Sequence, residues 1–222
     1  LSNVSRLILT GSGGPFRTRN YSDFINITKN EALNHPNWEM GKKISIDSAT
    51  MMNKGLEFIE AYWLFQLPIE KIDIIIHPQS IIHSMVEFID SSIKCQMGCP
   101  SMDVPISYAF SYPRRYNSNS GLFNFLDNNL LTFEKPDFNK FPCIRLAQEA
   151  LKSGFSHQVV LNVANDIAVS KFLNDELRFN DIPRVIEKAI SAHPLIDCPS
   201  INQIMDLSEW TKSFITNEVI NV

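Results

Sequence analysis

The 222-residue sequence has no apolar run that approaches the roughly 20 residues needed to cross a bilayer. It also has no excess of basic residues, because 20 lysines and arginines face 24 aspartates and glutamates and give a net charge of −4. Without a basic field, a chain does not attract nucleic acid or an anionic membrane. We therefore expect neither partner, and a phosphorylated ligand would need a local site.

Cysteine is scarce, and its spacing is irregular. The sequence has four cysteines: Cys95, Cys99, Cys143 and Cys198. No CxxC rhythm is present, which argues against a zinc site or a disulfide framework and favours reduced thiols.

An initiating methionine is absent too, since Leu1 leads almost directly into the strand-like segment RLILT. We therefore expect that an N-terminal portion, with any targeting segment, is missing.

The first half of the chain alternates short apolar runs with helical patterns. Strands are predicted at residues 6–10, 43–47 and 72–77, and a helix from about Thr50 to Phe65. The segments SMVEFID and SIKCQMG alternate apolar and polar residues, which indicates two antiparallel strands joined by a turn. This succession predicts an α/β (α+β) domain.

The pattern becomes helical after residue 141. Four short amphipathic helices are expected in succession, the first closed by Gly154 and the third entered through Asp181 and Pro183. Together they predict a small four-helix C-terminal domain. Periodicity fades before this region, which indicates a linker. The predicted regions are the α/β domain (1–116), the linker (117–141) and the helical domain (142–222).

The polar stretch DSATMMNKGLEF, residues 47–58, opens the predicted helix of the first half. At helical spacing one face carries polar side chains: Thr50, Asn53, Lys54, Glu57 and Glu60. The opposite face is apolar and is expected to pack on the core: Met52, Leu56, Ile59 and Trp63. This helix therefore combines a core-facing side with an unusually polar side.

The start of this helix is a candidate anion site. Ser48 and Thr50 stand at or before its first turn, where a side-chain oxygen can accept a bond from a free backbone N–H. Free N–H groups, the helix dipole and the charge of Lys54 together favour a phosphate group. Glu57 follows one turn later. A carboxylate fits there if a metal ion or a developing positive charge lies between it and the bound anion. The structural alternative is ordinary capping with a weak Lys54–Glu57 surface pair.

Two further segments contain candidate ligand-binding groups. LTGSGGPFR places three glycines and Ser12 after a strand, where backbone amides can surround an anion, although the segment lacks the GxGxxG dinucleotide fingerprint. HPNWEMG, which starts at His35, places Trp38 and Met40 in a predicted loop that could close over a ligand. The alternative for Trp38 is that it simply pins the loop to the core.

The segment IIIHPQSIIHSM places His77 at the end of a buried strand, with Ser80 and His83 beyond it. Strand ends are where α/β sheets bind ligands. A lone histidine there is more often a hydrogen-bonded structural residue, and the spacing of His77 and His83 fits no common zinc motif.

Taken in order, the segments TGSGGPFR, HPNWEMG, KISIDSATMMNKGLE, HPQSIIHSM and LNVAND resemble the 1-deoxy-D-xylulose 5-phosphate reductoisomerase family over essentially the whole chain. The resemblance implies rearrangement of the substrate's carbon skeleton and reduction with NADPH, which gives 2-C-methyl-D-erythritol 4-phosphate for isoprenoid synthesis by the non-mevalonate pathway. It implies Mg²⁺ or Mn²⁺ as the metal and a homodimer formed through the catalytic domain. The implied location is a bacterial cytoplasm or a plastid stroma, including an apicoplast.

The resemblance also implies roles for individual residues. Substrate binding is implied for Ser12, His35, Ser48, Asn53, Lys54 and Glu57, of which Ser12, Ser48, Asn53 and Lys54 would contact mostly the phosphate. Catalytic roles are implied for Glu57, His35 and Lys54, with Glu57 as a metal ligand. Lid and pocket positions are implied for Trp38, Met40, His83 and Met102. Gly41 would be a backbone neighbour of NADPH.

One part of the family pattern has no counterpart here. The family has an N-terminal Rossmann-type NADPH domain and an acidic segment with further metal ligands, whereas hard ions need several oxygen ligands. We therefore expect these 222 residues to be the C-terminal portion of a longer enzyme, inactive when expressed alone. The alternatives are a phosphate-binding or assembly module without chemistry, and a sugar-phosphate isomerase that uses Glu57 as a general base.

Overall fold

A computed structural model describes residues 2–34, 40–117 and 120–219 of the protein. Contacts within it define two compact units, Leu1–Ser12 with Pro68–Lys135 and Gly13–Leu67 with Pro136–Val222. This division by contact differs from the domain boundaries predicted at residues 116 and 142, which stay a prediction. In the part of the chain that the structure describes, no helix is long and apolar enough to cross a membrane.

The elements are as follows in chain order. The strands are β1 (Val4–Gly11), β2 (Ile72–Ile76), β3 (Ile82–Phe88) and β4 (Ile93–Met97). The α-helices are α1 (Lys29–Leu33), α2 (Lys42–Ala49), α3 (Met52–Phe65), α4 (Asp103–Ser111), α5 (Pro142–Ser153), α6 (Phe155–Leu173), α7 (Ile182–Ala192) and α8 (Ile201–Phe214). Short 3₁₀ segments occupy Tyr21–Asn26, Ile69–Lys71 and Phe179–Asp181, and a π-helical turn occupies Ile215–Val219.

The first unit contains a mixed sheet with the spatial order β2-β1-β3-β4. β2 runs parallel to β1, whereas β3 is antiparallel to both β1 and β4. The strands predicted at residues 6–10 and 72–77 and the predicted antiparallel pair are therefore confirmed. Residues 43–47, however, are helical in α2, so the strand predicted there is wrong.

α3 packs closely on α5 because Gly55 has no side chain at the contact. A Cβ atom at Gly55 would lie 2.6 Å from the Cβ of Ala147. The buried positions of α3 are Met52, Gly55, Phe58 and Ala61. Met52 is buried as predicted, whereas Leu56 and Ile59 of the predicted apolar face are only partly buried and Trp63 is exposed. The side of α3 that faces α5 is set by its smallest residue.

The helices α5 to α8 correspond to the four helical segments predicted after residue 141. α6 contacts α5, α7 and α8 and so lies at the centre of this group. As expected of an amphipathic helix, α7 buries one face, at Ile182, Val185, Ile186 and Ala189. Gly154 ends α5, as predicted, with a φ of 125° that favours glycine.

Candidate functional site

The junction between α2 and α3 forms the candidate site. Met51 separates the two helices with a φ of 62°, in the left-handed region that non-glycine residues rarely adopt. The Thr50 hydroxyl donates to the Ile46 carbonyl oxygen at 3.0 Å and accepts a bond from the Met52 N–H at 3.3 Å. Thr50 therefore satisfies a backbone donor at the start of α3, as predicted.

Ser48 occupies the last turn of α2 rather than the residues just before α3. The C-terminal end of a helix carries a partial negative charge, which disfavours an anion. The attraction for a phosphate at this junction must therefore come from the start of α3 and from Lys54. The sequence pattern does not show this, because residues 43–47 alternate in the way that predicts a strand.

The glycine-rich segment packs directly against the last turn of α2. Gly13 and Gly14 have φ values of 85° and 69°. A Cβ atom at Gly14 would lie 2.6 Å from the Ser48 carbonyl oxygen and 3.3 Å from the Ala49 Cα. Glycine is required here both by the backbone conformation and by this close approach.

Asn53, Lys54 and Glu57 meet on the first two turns of α3. The Asn53 amide donates to Glu57 Oε1 at 2.7 Å, and the Lys54 ammonium forms an ion pair with Glu57 Oε2. The Lys54 side chain is only 12% exposed, which distinguishes the cluster from an ordinary surface pair. Glu57 is 35% exposed and is directed at these two partners, not into apolar packing.

A buried carboxylate lies directly before Ser48 in the chain. Asp47 is 2% exposed, and it accepts a 2.9 Å hydrogen bond from Asn165 on α6 and pairs with Lys43 at 2.6 Å. Burial raises the pKa of Asp47, and the bonds from Lys43 and Asn165 oppose this rise. Sequence reasoning missed the pair, although the polar LNVAND segment inside an otherwise apolar helix was a usable signal.

Three of the predicted pocket residues belong to the first unit. Ser12 is partly buried at the end of its N-terminal segment. His83 is partly buried, with Nε2 3.1 Å from the Ser80 carbonyl oxygen, and burial lowers the pKa of its imidazole. Met102 is 57% exposed at the start of α4.

The remaining predicted residues precede α2. Gly41 is its N-terminal cap and is exposed, and an added Cβ atom would meet no atom of the described residues within 4 Å. Another molecule could therefore approach its backbone. Met40 is partly buried. His35 and Trp38 lie outside the described residues, so their roles and the lid stay predictions.

His77 is a buried structural residue. Its Nδ1 lies 2.9 Å from the Thr132 carbonyl oxygen, and its ring stacks on Phe133 with 4.9 Å between centroids. Ile76 pairs with Glu134 in an adjacent β-bridge. His77 thus fixes part of the predicted linker to the end of β2, in agreement with the structural alternative.

Among residues 2–34, 40–117 and 120–219, no group of three His, Cys, Asp or Glu side chains is arranged to hold a metal ion. Glu57 offers the type of oxygen ligand that Mg²⁺ and Mn²⁺ prefer. The described residues therefore fit one ligand of a divalent site and not a complete coordination sphere.

Two family models match the chain. The model of the DXP reductoisomerase C-terminal domain matches residues 97–214, and that of the 1-deoxy-D-xylulose 5-phosphate reductoisomerase C-terminal domain matches residues 1–65. The chain belongs to the 1-deoxy-D-xylulose 5-phosphate reductoisomerase family. The resemblance seen in the sequence segments is thus confirmed.

Curated reductoisomerases share about half of their aligned residues with this chain. The enzyme of Acetivibrio thermocellus is 51% identical over 213 residues, which cover 96% of this chain and 56% of that protein. The enzyme of Thermoanaerobacter sp. is 53% identical over 218 residues, which cover 97% and 56%. The chain therefore spans a little more than half the length of these reductoisomerases.

Solved reductoisomerase structures share the fold. The Zymomonas mobilis enzyme in complex with NADPH has a TM-score of 0.88 at 42% identity, over 96% of this chain and 55% of that one. A DOX-P reductoisomerase in complex with NADPH, fosmidomycin and magnesium has a TM-score of 0.91 at 38% identity, with the same coverage. The mixed sheet and its helices are thus a reductoisomerase fold.

Proposed function

We propose that this chain is the C-terminal portion of an enzyme that isomerises 1-deoxy-D-xylulose 5-phosphate and reduces the product with NADPH to 2-C-methyl-D-erythritol 4-phosphate. The reaction would serve isoprenoid precursor biosynthesis by the non-mevalonate pathway. The Asn53–Lys54–Glu57 cluster, in a chain of the reductoisomerase family, carries the proposal.

The substrate phosphate would bind at the start of α3. Lys54 supplies the full positive charge, and Asn53 and Ser48 supply hydrogen-bonding groups, with Ser12 as a further contact. In the present structure Lys54 is paired with Glu57. The phosphate would pair with Lys54 in place of Glu57, so the Glu57 carboxylate would become available to a cation. The cluster therefore exchanges partners when the substrate binds.

Cofactors are carried over from relatives whose structures contain NADPH and magnesium. Glu57 would be a ligand of Mg²⁺ or Mn²⁺, and Gly41 would lie beside NADPH. A divalent cation bound there would act as a Lewis acid towards substrate oxygens. The Rossmann-type NADPH domain and the other metal ligands would come from the part of the enzyme beyond this chain.

The other predicted positions complete the proposed site. His35 would act in the substrate pocket, Trp38 and Met40 would form the lid, and His83 and Met102 would line the pocket. The helices α5 to α8 would form the four-helix C-terminal domain. The enzyme would be a homodimer in a bacterial cytoplasm or a plastid stroma, including an apicoplast.

The decisive experiment follows NADPH absorbance in the full-length protein with 1-deoxy-D-xylulose 5-phosphate. We expect oxidation that requires both the sugar phosphate and Mg²⁺ or Mn²⁺, and no turnover and little NADPH binding by the 222-residue chain alone. Isomerisation without nicotinamide would instead support the simple isomerase. Phosphosugar binding that is indifferent to divalent metal, without turnover, would support the module without chemistry.

A further inference from the structure

The buried Asp47–Asn165 pair has no role in the function proposed above. Asn165 is 0% exposed on α6, and Asp47 is 2% exposed in the last turn of α2. The Asn165 amide donates to Asp47 Oδ1 at 2.9 Å. The two residues are 118 positions apart, so this bond ties α2 to a helix of the C-terminal region.

A buried carboxylate is stable only when both of its oxygens are satisfied. Asn165 satisfies Oδ1, and Lys43 satisfies Oδ2 at 2.6 Å. Asp166, the next residue on α6, forms an ion pair with the same Lys43 at 3.1 Å. α6 thus supports Asp47 twice, once directly and once through Lys43.

The Asn165 amide oxygen is buried and has no hydrogen-bond partner among the described residues. A polar side chain at such a position needs an explanation, since an apolar residue would fill the space without an unpaired oxygen. The explanation available here is the bond that its NH₂ group makes to Asp47.

Asp47 fixes the backbone that carries Ser48. The Asp47 carbonyl oxygen, at 3.3 Å, shares the Thr50 hydroxyl proton with the Ile46 carbonyl oxygen, and Gly14 packs against the Ser48 carbonyl. The last turn of α2 is therefore held through the Asp47 side chain, through the Asp47 backbone and by the glycine-rich segment.

We propose that Asn165 is a positioning residue that acts through Asp47 to hold Ser48 and the start of α3 in the arrangement that binds the substrate phosphate. The inference rests on the proposed function of this junction as a phosphate site. Because Asn165 acts through Asp47, its loss should weaken phosphate binding and leave the chemical step nearly unchanged.

The test is Asn165→Leu in the full-length enzyme, which keeps the side-chain size and removes the donor. We expect KM for 1-deoxy-D-xylulose 5-phosphate and Ki for inorganic phosphate to rise about tenfold, as for loss of one hydrogen bond to a charged group, with little change in kcat. Val169→Ala is the matched control, because Val169 is also buried on α6 at 1% exposure. It should lower Tm while KM and Ki stay unchanged.

Lys43→Met removes the other partner of Asp47, and the Lys43 side chain is 43% exposed, so this change leaves the buried contact on α6 in place. A similar rise of KM and Ki in Lys43→Met supports positioning through Asp47, and it decides the matter if Asn165→Leu does not fold. KM and Ki of Asn165→Leu that match those of Val169→Ala would overturn the inference, as would unchanged KM and Ki in Lys43→Met. If the wild type shows no turnover, the proposed function alone fails, and calorimetry with inorganic phosphate still tests Asn165.

Discussion

Asn53 and Glu57 are one helical turn apart on α3, and the Asn53 amide donates to the Glu57 carboxylate at 2.7 Å. With the Lys54 ammonium on its other oxygen, the carboxylate has two donors on the polar side of the helix. Such a group is held in place before any ligand binds, which favours a role in the site over packing.

We predict that Glu57→Gln in the full-length enzyme lowers kcat at least about 100-fold at saturating Mn²⁺, because an amide is a poor ligand for a hard cation. Steady-state NADPH oxidation measures the loss, and calorimetry with Mn²⁺ measures cation binding directly. Glu60→Gln is the control, since Glu60 is exposed one turn further along the same helix. Activity close to that of the wild type in Glu57→Gln would rule out the ligand role.

The second prediction concerns the α3–α5 contact. Gly55→Ala adds a Cβ atom 2.6 Å from that of Ala147 and 3.2 Å from the Cys143 carbonyl oxygen. Although alanine is the better helix former, we expect a net destabilisation of about 1–3 kcal/mol from overpacking. Thermal unfolding followed by circular dichroism measures it.

The controls for this contact use two further variants. Ala147→Gly in the Gly55→Ala background removes the clash and should recover part of the loss. Gly98→Ala should be nearly neutral, because an added Cβ atom there meets no atom within 4 Å in the described part of the chain. An unchanged Tm in Gly55→Ala would mean that α3 and α5 separate easily, contrary to the close packing described.

The strands of the sheet could be predicted from sequence because their pattern is local. RLILT and IDIII are short apolar runs, and β3 and β4 alternate around a polar turn. Residues 43–47 also alternate, with Ile44 exposed at 41% and Ile46 buried. They are nevertheless helical: Lys43 pairs with Asp47 at i, i+4 within α2, and Asp47 accepts a hydrogen bond from the distant Asn165 on α6. A contact across 118 residues is not visible in a local pattern.

The candidate site could be predicted in part for the same reason. Asn53, Lys54 and Glu57 share a helix face at fixed spacing, so their contact follows from the sequence alone. The helix break at Met51 could not be predicted, because its left-handed conformation is rare for methionine. The side of α3 that packs on α5 could not be predicted either. Its contact is centred on Gly55, which has no side chain and so adds nothing to the apolar pattern.

The third prediction concerns thiol reactivity. Burial and the charge of Asp47 raise the pKa of the Cys143 thiol to about 12, although a hydrogen bond with Thr50 acts in the opposite direction. Since the thiolate is the reactive form, Cys143 should stay unlabelled by iodoacetamide at pH 8 in the folded protein. Exposed Cys198 should react in the same sample, and peptide mass spectrometry separates the two. Labelling of Cys143 only after denaturation is expected, and rapid labelling without denaturant would contradict its burial.

The fourth prediction concerns self-association through the first unit. β4 is an edge strand with Ile93 54% exposed, and Phe110 on α4 is 90% exposed. Edge strands and exposed large apolar side chains are both normally covered by a partner. If the homodimer forms there, Ile93→Lys with Phe110→Glu should shift the full-length protein from dimer to monomer in sedimentation velocity. Leu64→Glu, a control at a 76% exposed position of the second unit, should stay dimeric. A double variant that sediments as a dimer would place the interface elsewhere.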